Sequence, residues 1–170
     1  MIDAGVLSNP SVDAIFACHV FPSIPRGTIW IPEGPVMAAV DNFIITIEGK
    51  GGHAAMPQRT IDPIPISAHL VLALNTLIAR TLAPNDQAVI SLGRIEGGNR
   101  RNVIPDLVAL EGTMRTVSDA TRRMLRARVH ELANHMAISF GASASIQWFE
   151  SFGATINNTQ MARVASEAIK

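Results

Sequence analysis

From Asp41 to Phe149 the apolar residues switch between two periods, and the order of the switches leaves few possible folds. In "DNFIITIEG", Phe43, Ile45 and Ile47 fall on one side, with Asn42, Thr46 and Glu48 largely on the other. That is the period-two signature of a half-buried strand. Asp62-Pro63 then opens a helix, with Asp as N-cap and Pro at the first helical position, and Ile64, Ala68, Val71, Leu72 and Ile78 carry it to about Thr81. "QAVISLGRIEGG" reads as a second strand, "NRRNVIPD" as a polar loop and "LVALEGTMRT" as a third strand. Ser118-Asp119 opens a second helix with Leu125, Val129, Leu132, Met136 and Phe140 on one stripe, and Gly141 is its stop. "ASASIQWF" is a fourth strand, with Ala144, Ile146 and Trp148 on one face. The order strand, helix, strand, strand, helix, strand implies an α+β fold of the ferredoxin-like βαββαβ type. Two helices cover one face of a four-stranded antiparallel sheet, spanning about Ala38 to Glu150.

The ends do not belong to that pattern. "VDAIFACHVFP", Val12 to Pro22, reads as a buried strand running into a loop, with Cys18 as a small buried filler. Four prolines between Pro22 and Pro35 interrupt regular structure and suggest a connection between two bodies. "SFGATINNTQMARVASEAIK" reads as a loop followed by a helix.

Composition excludes several functions. Lys plus Arg equals Asp plus Glu at 14 each, and aromatic residues make up 5%, so neither a polyanion-binding surface nor a base-stacking platform is supplied. No nucleic-acid partner is expected. The apolar run from Ile64 to Leu82 contains Ser67, His69, Asn75, Thr76 and Arg80 and reads as too polar and too short for a membrane span. The single cysteine excludes an internal disulfide or a thiolate zinc cluster, and no signal-peptide pattern opens the chain, so a cytoplasmic location is expected.

Of the five histidines, His69, His130 and His135 lie in the two helices. The last two stand about 140° apart around the helix axis and share no metal face. His19 stands where an apolar strand ends, a position where ligands gather in open sheets, although a core or surface histidine has the same spacing. His53 lies in "EGKGGHAAMP", where Gly49, Gly51 and Gly52 allow positive φ and close approach of another surface. It reads either as an exposed turn residue or as a histidine on a flexible arm aimed outside its own domain. Asn102 ends a polar loop and Arg115 ends the following strand, so both could cluster with His53. A guanidinium fork with an amide donor suits a carboxylate. A turn asparagine and a surface arginine fit the same spacing.

The segments "VDAIFACHVFPSIPRGTI", "GPVMAAVDNFIITIEGKGGHAAMP", "DPIPISA", "GGNRRNVIPD" and "LEGTMRT" stand in the order and spacing of the M20 metallopeptidases. The chain resembles the amidohydrolase branch of that family, which includes hippurate, N-acyl-amino-acid and auxin-conjugate hydrolases. The resemblance implies a ferredoxin-like lid at 38–150 that makes a homodimer. It is flanked by the end of a first catalytic-domain segment at 1–37 and the start of a second at 151–170. It implies hydrolysis of the amide of an N-acyl amino acid with two divalent metal ions, zinc, manganese and nickel being indistinguishable. It implies His19 as a metal ligand, Asn102 and Arg115 as substrate contacts, and His53 as a catalytic residue reaching a partner's site. The paired glutamates and remaining metal ligands of the family do not occur in these 170 residues, so the chain reads as an internal fragment, inactive and without a tight metal site by itself. The alternative is a non-catalytic dimerisation or regulatory module with the lid fold.

Overall fold

A computed structural model of the chain describes residues 2–150 and 152–169, so the boundary expected at Ser151 lies outside the described residues. The chain divides into two units, Met1–Val36 with Ile156–Lys170, and Met37–Thr155.

The larger unit carries the main sheet. Its strands are β2 (Ala39–Glu48), β4 (Ala88–Glu96), β6 (Leu107–Thr116) and β7 (Ser143–Glu150), and its helices are α1 (Pro63–Thr81) and α2 (Asp119–Ser139). The sheet order is β4-β6-β2-β7, and every neighbouring pair is antiparallel. This is the ferredoxin-like arrangement expected from the periodicity. Two short strands absent from the expectation, β3 (Gly52–His53) and β5 (Val103–Ile104), pair with each other. In the smaller unit β1 (Gly34–Met37) pairs with β8 (Thr155–Asn157), followed by α3 (Thr159–Ala168), whose N-cap Asn158 accepts hydrogen bonds from the N–H groups of Gln160 and Met161.

The core lies between the sheet and the two helices. Phe43, Ile45 and Ile47 from β2 and Val108, Leu110 and Met114 from β6 meet Ile66, Leu70 and Leu74 of α1 and Leu125, Val129 and Ala133 of α2. Asp62 caps α1 by accepting the Ile64 N–H at 3.0 Å, and Ser118 caps α2. Gly141 takes φ +77° just beyond α2, the left-handed stop that a glycine adopts without a steric cost.

The expectations about faces and burial hold only in part. Helix α1 buries Ile66, Ser67, Leu70 and Leu74, whereas Ile64, Ala68 and Leu72 face outward. It is apolar on both sides, so periodicity could not say which side meets the sheet. By length and composition α1 could cross a membrane, with a mean hydropathy of 1.3, contrary to the expectation, but its inner face packs into this core. Helix α2 buries Thr121, Leu125, Val129, Ala133 and Ala137; Leu132 and Met136 of the expected stripe are partly buried against the core, and Phe140 alone of it is exposed. Finally, Val12 to Val20 form no strand and are exposed throughout, Cys18 included. An apolar run offers side chains for burial but needs partner strands for its backbone, and among the described residues none lies beside it.

Candidate functional site

The loop carrying His53 is held on two sides. Lys50 and Ile61 exchange backbone hydrogen bonds at 2.8 and 2.9 Å. On the other side the N–H of Gly49 donates to the Asp106 carbonyl at 2.8 Å, and the N–H of Gly51 donates to the Asp106 carboxylate at 2.9 Å. Beyond these clamps His53 pairs with Val103, and the Ala54 N–H donates to the Asn102 carbonyl at 3.1 Å.

The three glycines explain how the clamps close. None of them takes a positive φ. A Cβ on Gly49 would stand 2.1 Å from the Ile61 carbonyl oxygen. One on Gly51 would stand 2.7 Å from the Ile104 oxygen, and one on Gly52 2.8 Å from Thr60 Cγ2. The glycines make room for the Ile61 and Ile104 carbonyls and the Thr60 methyl, and the loop is a platform fastened by hydrogen bonds on both sides.

The platform sets the state of the histidine. The Ala55 N–H donates to His53 Nδ1 at 3.1 Å. Nδ1 is therefore the acceptor of the neutral ring, and the proton resides on Nε2, where it can be donated. The residue is exposed, and the Asn102 residue beside it is exposed as well.

Arg115 is elsewhere. Val40 pairs with Arg115 at the start of β2, whereas Glu48, immediately before the glycine loop, pairs with Leu107. Arg115 thus stands about 25 Å along β6 from the end that adjoins His53 and Asn102. The structure brings His53 and Asn102 together and leaves Arg115 at the opposite end of the sheet. Its guanidinium is exposed and has no ion-pair partner among the described residues.

His19 lies in the smaller unit. Its Nδ1 donates to the Val20 carbonyl at 2.8 Å and its ring lies 4.6 Å from that of Phe21. That leaves Nε2 unprotonated in the neutral ring, the state in which histidine binds a metal. Yet among the described residues no group of three or more His, Cys, Asp or Glu side chains could hold an ion. The residues present do not fit a complete metal centre.

Two residues passed over in the sequence organise the larger unit. Asp106 fastens the glycine loop, and its signal is visible only through register, since Leu107 pairs opposite Glu48. Asp41 is fully buried and receives Nε and Nη2 of Arg122, each at 2.7 Å, with Arg126 Nη1 at 3.8 Å. Arg126 in turn lies over the Trp148 ring at 4.9 Å.

Comparison with known proteins gives these positions a context. The family profile described as the peptidase dimerisation domain, M20_dimer, matches residues 40–140. N-acetylcysteine deacetylase of Bacillus subtilis (strain 168) is 39% identical over 168 residues, which is 99% of this chain and 44% of that protein. A crystal structure of an aminohydrolase from methicillin-resistant Staphylococcus aureus superposes with a TM-score of 0.90 at 27% identity, covering 99% of this chain and 44% of that one. A dinuclear metal binding peptidase of the M20 family from Bacillus subtilis gives 0.77 at 35% identity, covering 98% of this chain and 40% of that one. The chain therefore spans less than half the length of the relatives it matches.

Proposed function

Because the chain belongs to the M20 peptidase family, whose dimerisation domain it carries, we propose that it is part of a metal-dependent amidohydrolase cleaving the amide of N-acyl amino acids and related amides. Residues 38–150 form the lid through which two subunits pair. Residues 1–37 and 151–170 are the adjoining pieces of the catalytic domain, and the enzyme is cytoplasmic. His19 supplies one metal ligand, in keeping with its unprotonated Nε2. On this reading the other ligands belong to the length of the relatives that the chain does not span.

The chain's own contribution is binding and polarisation. His53 Nε2–H donates to the amide carbonyl oxygen as negative charge develops there. Its ring is held by the Ala55 N–H, so no reorganisation is needed at that moment. Asn102 adds an amide from the turn that leads into β5. Arg115 grips the free carboxylate of the amino acid with its planar fork.

The observation that carries this reading is that Arg115 stands at one end of β6 while the His53 loop adjoins the other end of that strand. A small substrate cannot span about 25 Å, so the two residues act on one molecule only if they come from different subunits. Edge strand β4 has unpaired backbone on its outer side, and the uncovered face of α1 flanks it, which supports pairing there.

Mixed dimers of the complete enzyme test this. A dimer of one His53→Ala subunit and one Arg115→Ala subunit has one site with both residues intact and one with neither. It should regain up to about half the wild-type turnover per dimer, although each homodimer is impaired. If both residues serve the site of their own subunit, the mixed dimer recovers nothing, and the shared-site reading is wrong.

A further inference from the structure

Beside the His53 strand lies an open depression of about 480 Å³. Ala54, next to His53, forms one side of it. Arg100 and Arg101, just ahead of Asn102, form another, and Asp62 a third. The depression therefore lies beside the end of the His53 strand and the turn that carries Asn102.

The turn presenting the two arginines is fixed by its backbone. Gly98 takes φ +81°, and Gly97 has no room for a Cβ, which would stand 2.7 Å from Val108 Cγ2. The Val103 N–H closes the turn on the Arg100 carbonyl at 3.2 Å. Both arginines are exposed, and neither guanidinium has a partner among the described residues. Arg94, Arg122, Arg128 and Arg163 are each paired with a carboxylate, whereas Arg26, Arg59, Arg80, Arg115 and Arg123 share the unpaired state among the described residues, so what marks this turn is two such forks side by side at one depression. Asp62, the carboxylate in the wall, is occupied in capping α1. Two free guanidinium forks thus stand against one engaged carboxylate, one residue beyond the proposed amide donor.

We propose that this depression is an anion subsite that takes a second acidic group, making dicarboxylic N-acyl amino acids the favoured substrate class. The inference rests on reading His53 and Asn102 as substrate contacts. A substrate whose amide oxygen meets His53 Nε2 carries its next few atoms over Ala54. A carboxylate at that reach meets the forks of Arg100 and Arg101. Each exposed pair is worth little, but two adjacent forks offer one carboxylate more donors than either does alone.

The test uses the complete enzyme as wild type and as the Arg100→Gln/Arg101→Gln double variant. N-acetylglutamate and N-acetylglutamine serve as the substrate pair, because they differ in one anionic charge at matched shape. The ratio of kcat/KM for the acid over the amide should fall about tenfold in the double variant. A ratio that does not move overturns the subsite. Glutarate binding followed by calorimetry is the second readout, expected to be saturable in wild type and lost in the variant. Should the enzyme hydrolyse neither substrate, the amidohydrolase reading fails, and glutarate still decides the subsite. Absent binding, or binding that survives the double substitution, overturns it.

Discussion

The carboxylate of Asp41, at the start of β2, is gripped in bidentate fashion by Arg122 of α2, eighty-one residues away in sequence. A buried charge of this kind contributes little net stability as a pair but is costly to leave unpaired. Asp41→Ala should therefore lower stability by about 3–5 kcal/mol, whereas the apolar double variant Asp41→Leu/Arg122→Leu should lose much less. Urea unfolding of the three proteins reads this directly. A single variant as stable as wild type would remove the pair from any structural role.

The glycine loop gives a second expectation. In Gly49→Ala the new Cβ meets backbone rather than a yielding side chain. A cost of about 1–3 kcal/mol or more is expected, with loss of the protected Lys50 and Ile61 amides in hydrogen exchange. Gly153→Ala is the control, since nothing lies within 4 Å of its Cβ and its φ is ordinary. It should be neutral or slightly stabilising. Equal behaviour of the two would mean the loop relaxes freely.

Dimerisation separates the two sheet edges. Leu72 on α1 is 68% exposed and Ile138 on α2 is 67% exposed, so neither change below disturbs the core. With pairing through β4 and α1, Leu72→Glu should shift the protein to monomer in light scattering, and Ile138→Glu should leave it dimeric. The reverse pattern would assign the interface to the β7 edge.

On the proposed reading, kinetics of the full-length protein distinguish His53 from Arg115. His53→Ala should lower kcat by roughly 10²–10³-fold with little change in KM, as expected for loss of an oxyanion donor. Arg115→Ala should raise KM for substrates with a free carboxylate and leave their carboxamides almost unaffected. If both variants impair all substrates alike and lower Tm, the residues only support the fold.

What could be read from the residues alone was local. The alternation of Phe43, Ile45 and Ile47, the Asp62-Pro63 start and the Gly141 stop each rest on a few neighbouring positions, and all stand in the structure. The buried side of α1 was hidden because Ile64 and Leu72 are as apolar as Ile66 and Leu70. The placement of Arg115 was hidden because it depends on how β2 and β6 align, which neither strand encodes by itself. The Asp41–Arg122 pair and the Asp106 fastening are long-range for the same reason. The apolar run around His19 suggested a buried strand, yet Val12 to Val20 are exposed and form none, because a strand exists only beside another strand.

Gly49, Gly51 and Gly52 shape the His53 platform by the atom they lack. Every residue that a codon change can put in place of glycine carries a Cβ. These three positions therefore offer no graded route by which the platform could be adjusted: each substitution is a step into a collision. Neighbouring positions such as Ala54, Arg100 and Arg101 have open space before them. Substitution at those side chains can proceed while the frame that holds His53 is left fixed.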